Sequence, residues 1–254
     1  MHRPHNLKEA EGEVQKAIYF DPSVFTFIGL FNNRLPQSCT AMLDISNENV
    51  HILRHIMHSI WPTFKDAVSA LRLTPCSFRL LRRFAPTMLC CCPGLQSIGF
   101  NSDILPEFPA DDSAMVSDGQ ALAKWLFTPR RDNVPNNLLI EFANPVVVKS
   151  QWSAVEAIKT QFLAATSRVS FKLTLLNRQS ADSSETVVPI VPFEPLHNAA
   201  TGEQLTLEQQ DANIYCIERL PIGGDKHDWV THMLGELNKK NHFNLFFDES
   251  GVSL

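Results

Sequence analysis

Long apolar runs are missing from this chain, and so is any long run of basic residues. No stretch reaches the roughly 18–20 consecutive apolar residues of a membrane-spanning helix, which excludes a helical membrane protein. The first residues, 1–16, are polar and lack the apolar segment of a secretory signal. No Asn-x-Ser/Thr glycosylation acceptor occurs. The net charge is −5 with a pI near 6.0. Without a basic run, the phosphate neutralisation that drives general nucleic-acid binding has no source, so nucleic acid is excluded as a partner.

Catalytic signatures are missing too. There is no Gly-x-Ser-x-Gly elbow, no dinucleotide fingerprint and no kinase motif set. Gly223-Gly224-Asp225 lacks the Gly-Lys-Ser/Thr of a phosphate loop and reads as a turn. An ordinary disulfide framework is also absent. Three of the six cysteines, Cys90, Cys91 and Cys92, stand in immediate succession, and Cys39, Cys76 and Cys216 are scattered. The cysteines are therefore read as reduced, and the compartment as cytoplasmic or nuclear. No catalytic, cofactor-binding or metal-binding residue and no cofactor is expected.

What is present is enough apolar material for a large core. Hydrophobic residues are 44% and charged residues 19% of the 254. A chain of this size hides roughly 70–75% of its unfolded surface. Residues 1–40 form a poorly defined leader, with one apolar run in FTFIGLF. From residue 41 a rhythm of short apolar runs and amphipathic helices begins. Strands are expected at Met42–Ile45, Ala67–Leu73, Leu95–Phe100, Leu138–Ala143 and Val169–Leu176. Helices are expected at Asn49–Ile60 (capped by Ser46 and ended at Trp61-Pro62), Ser77–Phe84, Ser117–Phe127 and Gln151–Ala165. In the last of these, Trp152, Val155, Ile158, Phe162 and Leu163 make one apolar stripe.

Strand, helix, strand at such intervals implies crossover units and a parallel sheet. The LxxIxF pattern at Leu95–Phe100 resembles the strand of a leucine-rich repeat, but the later intervals are too long for a regular solenoid. Residues 41–176 are thus expected to form irregular leucine-rich-repeat-like α/β units. Residues 177–254 change texture. Strands without intervening helices are expected at Val187–Phe193, Gln204–Gln209 and Asn213–Leu220, with turns at Thr201-Gly202 and Asp211-Ala212-Asn213. They form an antiparallel meander packed on the first part, followed by a helix at Lys226–Lys240 and an apolar run, Phe243–Phe247.

Four groups of residues bear on chemistry. His51, His55 and His58 share one helix face at i, i+4 and i+7, a spacing that suits zinc. Ile52, however, stands where a metalloprotease helix has glutamate, and Leu53, Ile56, Met57 and Ile60 explain the helix as ordinary. Glu107, Asp111 and Asp112 lack the spacing of a calcium loop and read as caps. Ser117 and Gln120 fit a capping box, and Thr128-Pro129 ends that helix. Arg79, Arg82 and Arg83, with Arg72 near, form a compact basic cluster, read as a solvated helix face rather than a phosphate site. Adjacent cysteines point in different directions, so Cys90–Cys92 read as inert rather than metal-binding. The alternative is a thiol-dependent enzyme using the Cys90–Cys92 segment with a histidine base.

The succession LRRFAPTMLCCCPGL (Leu81–Leu95), EFPADDSA (Glu107–Ala114), GQALAKWLFTPR (Gly119–Arg130), VPFE (Val191–Glu194), TGEQLTL (Thr201–Leu207) and ERLPI (Glu218–Ile222) before Trp229 resembles the F-box-containing proteins expanded in plant-parasitic cyst nematodes. The resemblance covers roughly residues 40–250. It implies a non-enzymatic, intracellular protein-interaction module similar to the substrate-binding region of those proteins. The implied partners are a protein substrate and the adaptor of a cullin ubiquitin ligase. Residues 1–40 show no run of F-box helices, so the resemblance extends to the substrate side and assigns no binding residue.

Overall fold

The structure is a computed structural model that describes residues 39–44, 61–101, 104–142, 148–177, 192–223 and 242–246. The first half alternates strands and helices: β1 (Cys39–Asp44), α1 (Trp61–Phe64), β2 (Val68–Leu73), α2 (Pro75–Phe84), β3 (Ser97–Asn101), α3 (Asp118–Leu126), β4 (Asn136–Phe142), α4 (Val148–Ala164) and β5 (Phe171–Asn177). Four further strands follow: β6 (Leu196–Asn198), β7 (Glu203–Asp211), β8 (Ile214–Pro221) and β9 (His242–Phe246).

Among the described residues these strands make one mixed sheet in the order β6-β7-β8-β5-β4-β3-β2-β1-β9. β1 to β5 are parallel neighbours in chain order. β8 then joins β5 antiparallel, and β7 and β6 continue antiparallel outward. β9 lies at the opposite edge, parallel to β1, with Ala41 opposite Phe243 and Leu43 opposite Leu245. The expected antiparallel strands and parallel units are thus parts of one sheet.

Register builds the core. One row across the sheet reads Leu71, Ile98, Leu138, Leu173 and Ile217; the next reads Leu73, Phe100, Ile140, Leu175 and Tyr215. All ten are buried. The helices cover this face: the Phe78 ring of α2 meets Phe100 edge-on at 5.0 Å, and Phe127, just after α3, lies 4.9 Å from Phe171. Because side chains alternate along a strand, the residues between fall on the other face, which is polar. Ser97, Asn137, Lys172 and Glu218 form one row there, and Lys172 Nζ donates to Glu218 Oε1 at 2.8 Å. Arg72 reaches over Gly99 of β3 to Glu141 of β4 at 2.9 Å.

Several local expectations need correction. α2 starts at Pro75, not Ser77: the Thr74 hydroxyl accepts from Ser77 N, and proline suits a first helical position because its missing N–H is not needed there. Helical backbone runs over Trp61–Phe64; the end of the helix expected before it lies outside the described residues. Leu163, assigned to the apolar stripe of α4, is 56% exposed, while Val155, Ile158 and Phe162 are buried. Pro192 and Phe193 are not in a strand; the edge strand comes at Leu196–Asn198. The helices expected at Asn49–Ile60 and Lys226–Lys240 lie outside the described residues, as does most of 1–40.

Candidate functional site

The loop from Ile104 to Ser117 connects β3 to α3 and folds back along the helix. Its backbone is fixed by many short links. Glu107 N donates to Gly119 O at 3.0 Å, and Asp111 N to Gln120 O at 3.3 Å. The Ser117 hydroxyl accepts from Gln120 N while Gln120 Oε1 accepts from Ser117 N, the expected capping box. The same hydroxyl donates to Glu107 Oε2 at 2.5 Å, and Gln120 Nε2 donates to Pro109 O at 3.0 Å. The Phe108-Pro109 bond is cis.

Arg82 holds the loop from the side of α2. Its guanidinium, 6% exposed, donates to Val116 O, Ser113 O and Asp118 Oδ1 at 2.8–3.0 Å. The basic cluster expected from the sequence therefore does not exist as a unit. Arg82 is buried as a structural tie, Arg72 pairs with Glu141, and Arg79 and Arg83 are exposed, with Arg79 3.5 Å from Asp118. Glu107, Asp111 and Ser117 serve the loop's own hydrogen bonds, as expected of caps. The Asp111 carboxyl sits below its ordinary range because Ser113 N donates to it. Among the described residues no group of three or more His, Cys, Asp or Glu is placed to hold a metal. His51, His55 and His58 lie outside those residues.

On this fixed loop, two residues before the cap Ser117, Met115 is 95% exposed. At the carboxyl end of α3 opens a cleft of about 450 Å³. It lies at the amino ends of β3 and β4, between the connection that precedes β3 and the one that precedes β4. Its floor is Leu89, Cys92, Leu95 and Trp125, all buried, and its rim carries Pro93, Pro129, Arg130, Arg131 and Asp132. Arg130 is locked: it holds Asp132 through two hydrogen bonds of 2.9 and 2.6 Å and also donates to Leu95 O. That pairing holds the Asp132 carboxyl below its ordinary range, against a smaller opposing effect of burial. Arg131 is exposed and has no ion pair among the described residues. Asn136 closes the inner end, its amide donating to the last carbonyls of α3 and to Thr128 O.

The three adjacent thiols diverge, as adjacent residues should. Cys92 Sγ donates to Met88 O, Cys91 Sγ lies 3.5 Å from Thr87 Oγ1, and Cys90 faces Asp112. Cys90 keeps solvent contact as a residue, yet burial and the Asp112 carboxylate push its thiol up to about 12. Burial pushes Cys92 up to about 12 as well. Burial also raises Cys216, on the polar sheet face. A nucleophilic cysteine needs the opposite shift, toward the thiolate. At Cys90 and Cys92, both lining the cleft, burial favours the protonated thiol.

Sequence reasoning did not single out Met115 or Arg131. Their signal was present only faintly, as a methionine inside a polar loop and an arginine pair after the helix stop at Thr128-Pro129. No family model matches the chain, and neither a curated protein nor a solved structure matches it. No helix among the described residues is long and apolar enough to cross a membrane.

Proposed function

We propose that this chain is a non-enzymatic protein-interaction module, intracellular, with the role that its resemblance to the substrate side of nematode F-box proteins implies: a substrate receptor for a cullin ubiquitin ligase. The observation that carries the interaction reading is Met115. An exposed methionine on an otherwise mobile loop is unremarkable. Here it is displayed by a loop whose backbone is fixed by the capping box, by Glu107 and by Arg82. Binding through such a loop loses little conformational entropy, which is how a preorganised anchor gains affinity. Methionine is a common choice at surfaces that must accept a partner. The neighbour order of β1 to β5 supports stacked strand–helix units of an irregular leucine-rich-repeat-like kind, which present broad faces to partners.

The test uses the tagged full chain and its Met115→Asp variant in matched cell extracts, with the purified cullin adaptor added in a parallel experiment. Proteins retained by the native chain and lost by the variant are expected. Adaptor binding supports the ligase role, and its failure removes that role. Identical captures by both forms overturn the reading of the 104–117 loop as an interaction surface.

A further inference from the structure

The cleft at the carboxyl end of α3 is lined by a residue with an unmatched acceptor. Asn136, 2% exposed, stands there at the first position of β4. Its Nδ2 donates to Trp125 O at 3.0 Å, Thr128 O at 2.9 Å and Leu126 O at 3.4 Å. Those three carbonyls fix the orientation of the amide, because Oδ1 in the place of Nδ2 would face them without a proton. Oδ1 is buried and has no hydrogen-bond partner among the described residues. A buried acceptor left in this way costs stability until a donor meets it. It also stands beside the last carbonyls of a helix, where the potential is negative and a donor's proton is favoured.

The rest of the cleft indicates what such a donor would be attached to. Leu89, Leu95 and Trp125, all buried, give an apolar floor. The rim carries one unengaged charge. Arg130 holds Asp132 through bonds of 2.9 and 2.6 Å and so neutralises that carboxylate, whereas Arg131 is exposed with no ion pair among the described residues. Burial favours the protonated thiols of Cys90 and Cys92, so no thiolate stands against a bound anion. At about 450 Å³ the cleft is in the size range of small-molecule sites, which join an apolar lining to a few placed polar groups. We propose that it binds a small phenolic carboxylate: the ring lies on Leu89, Leu95 and Trp125, the hydroxyl donates to Asn136 Oδ1 at the inner end, and the carboxylate meets Arg131 at the rim. No residue of 104–117 lines the cleft, so this site is independent of Met115 and of the interaction reading built on it.

A ligand-observed NMR titration of the full chain with para-hydroxyphenylacetate tests this, with near-ultraviolet circular dichroism as the control for folding. A Kd of about 1 mM or tighter is expected, ordinary for a ligand of so few atoms. Phenylacetate, which lacks the hydroxyl, should bind about tenfold more weakly, because it leaves the buried acceptor unpaired. Tyramine, with an ammonium in place of the carboxylate, should not bind measurably. Arg131→Glu should weaken para-hydroxyphenylacetate by about tenfold or more through like-charge repulsion. That variant should fold, since the side chain is exposed and makes no ion pair among the described residues. Comparing ligands reads the Asn136 contact without altering Asn136, whose amide also holds the end of α3. A folded chain that takes up no para-hydroxyphenylacetate at about 10 mM overturns the proposal. So does equal affinity for phenylacetate, or binding indifferent to Arg131→Glu. None of these results touches the capture experiment with Met115→Asp, which tests the interaction reading by itself.

Discussion

Arg219 of β8 meets Glu203 of β7 at 2.6 Å with both side chains buried, 1% and 0% exposed. Glu203 uses its other oxygen to accept from Val169 N at 2.9 Å, and Arg219 donates onward to Ser167 O at 2.8 Å. The guanidinium also lies 5.4 Å from the Phe162 ring centroid. This one pair therefore ties the β7–β8 hairpin to the end of α4 and the start of β5. Asn198 does similar work nearby, its amide donating to Phe162 O and Ala165 O at the end of α4.

Removing one member of this pair should strand a buried charge. Arg219→Met is expected to destabilise the fold by about 3–5 kcal/mol, the usual cost of breaking a buried ion pair from one side. Glu203→Gln should also be costly, and the double variant should be markedly less destabilising than the sum, with a coupling of about 1–3 kcal/mol. Urea unfolding of the four forms measures this. Simple additivity would mean that the two side chains act independently.

Gly119 gives a prediction in which the sign itself decides. Inside a helix, glycine to alanine ordinarily stabilises by about 1 kcal/mol. Here a Cβ would stand 2.4 Å from Leu105 O and 2.7 Å from Glu107 Cγ. The first of these is backbone and cannot swing aside, so Gly119→Ala should destabilise by about 1–3 kcal/mol, as overpacking does. Thermal unfolding reads the sign. A stabilised variant would show that the 104–117 loop is not held against α3.

The thiols predict an alkaline weakness. Cys90 and Cys92, pushed up to about 12, keep their protons in the folded chain while an unfolded cysteine releases its proton near 8.5. Above about pH 8.5 the unfolded state then binds fewer protons than the folded one, so stability must fall as pH rises from there toward 12. Cys90→Ser and Cys92→Ala should flatten that fall between pH 8.5 and 11 in urea titrations. Alkylation of Cys90 at pH 8 should likewise be slower in the folded chain than in urea. Fast, selective labelling of Cys90 in the native chain would instead revive the thiol-dependent enzyme as the better reading.

Much of the local structure was legible because local rules governed it. The Ser117–Gln120 capping box is set by residues three apart, and it formed as its sequence implies. The apolar residues Val155, Ile158 and Phe162 of α4 are buried because the helical period alone places them on one face. Leu163 broke that pattern: it follows Phe162 directly and so turns toward solvent at the stripe's margin. The Thr74 cap of α2 depends on backbone that Pro75 sets, outside the apolar periodicity. The candidate site was less legible, since neither an isolated methionine nor an arginine pair has a periodic signature.

The sequence by itself determined the parallel strand–helix succession, the caps of α3 and the turns at Gly202 and Asn213, because each rests on contacts within a few residues. Only the tertiary structure decided how the arginines were divided. Arg82 became a buried tie, Arg72 a cross-strand partner and Arg131 a solvent-facing charge, according to which carbonyls and carboxylates the fold brought to each. It also decided that β9 pairs with β1, at the edge far from the strand it follows, and that Met115 is left exposed. Those outcomes depend on hydrogen bonds and packing between residues distant in the chain, and no local period encodes them.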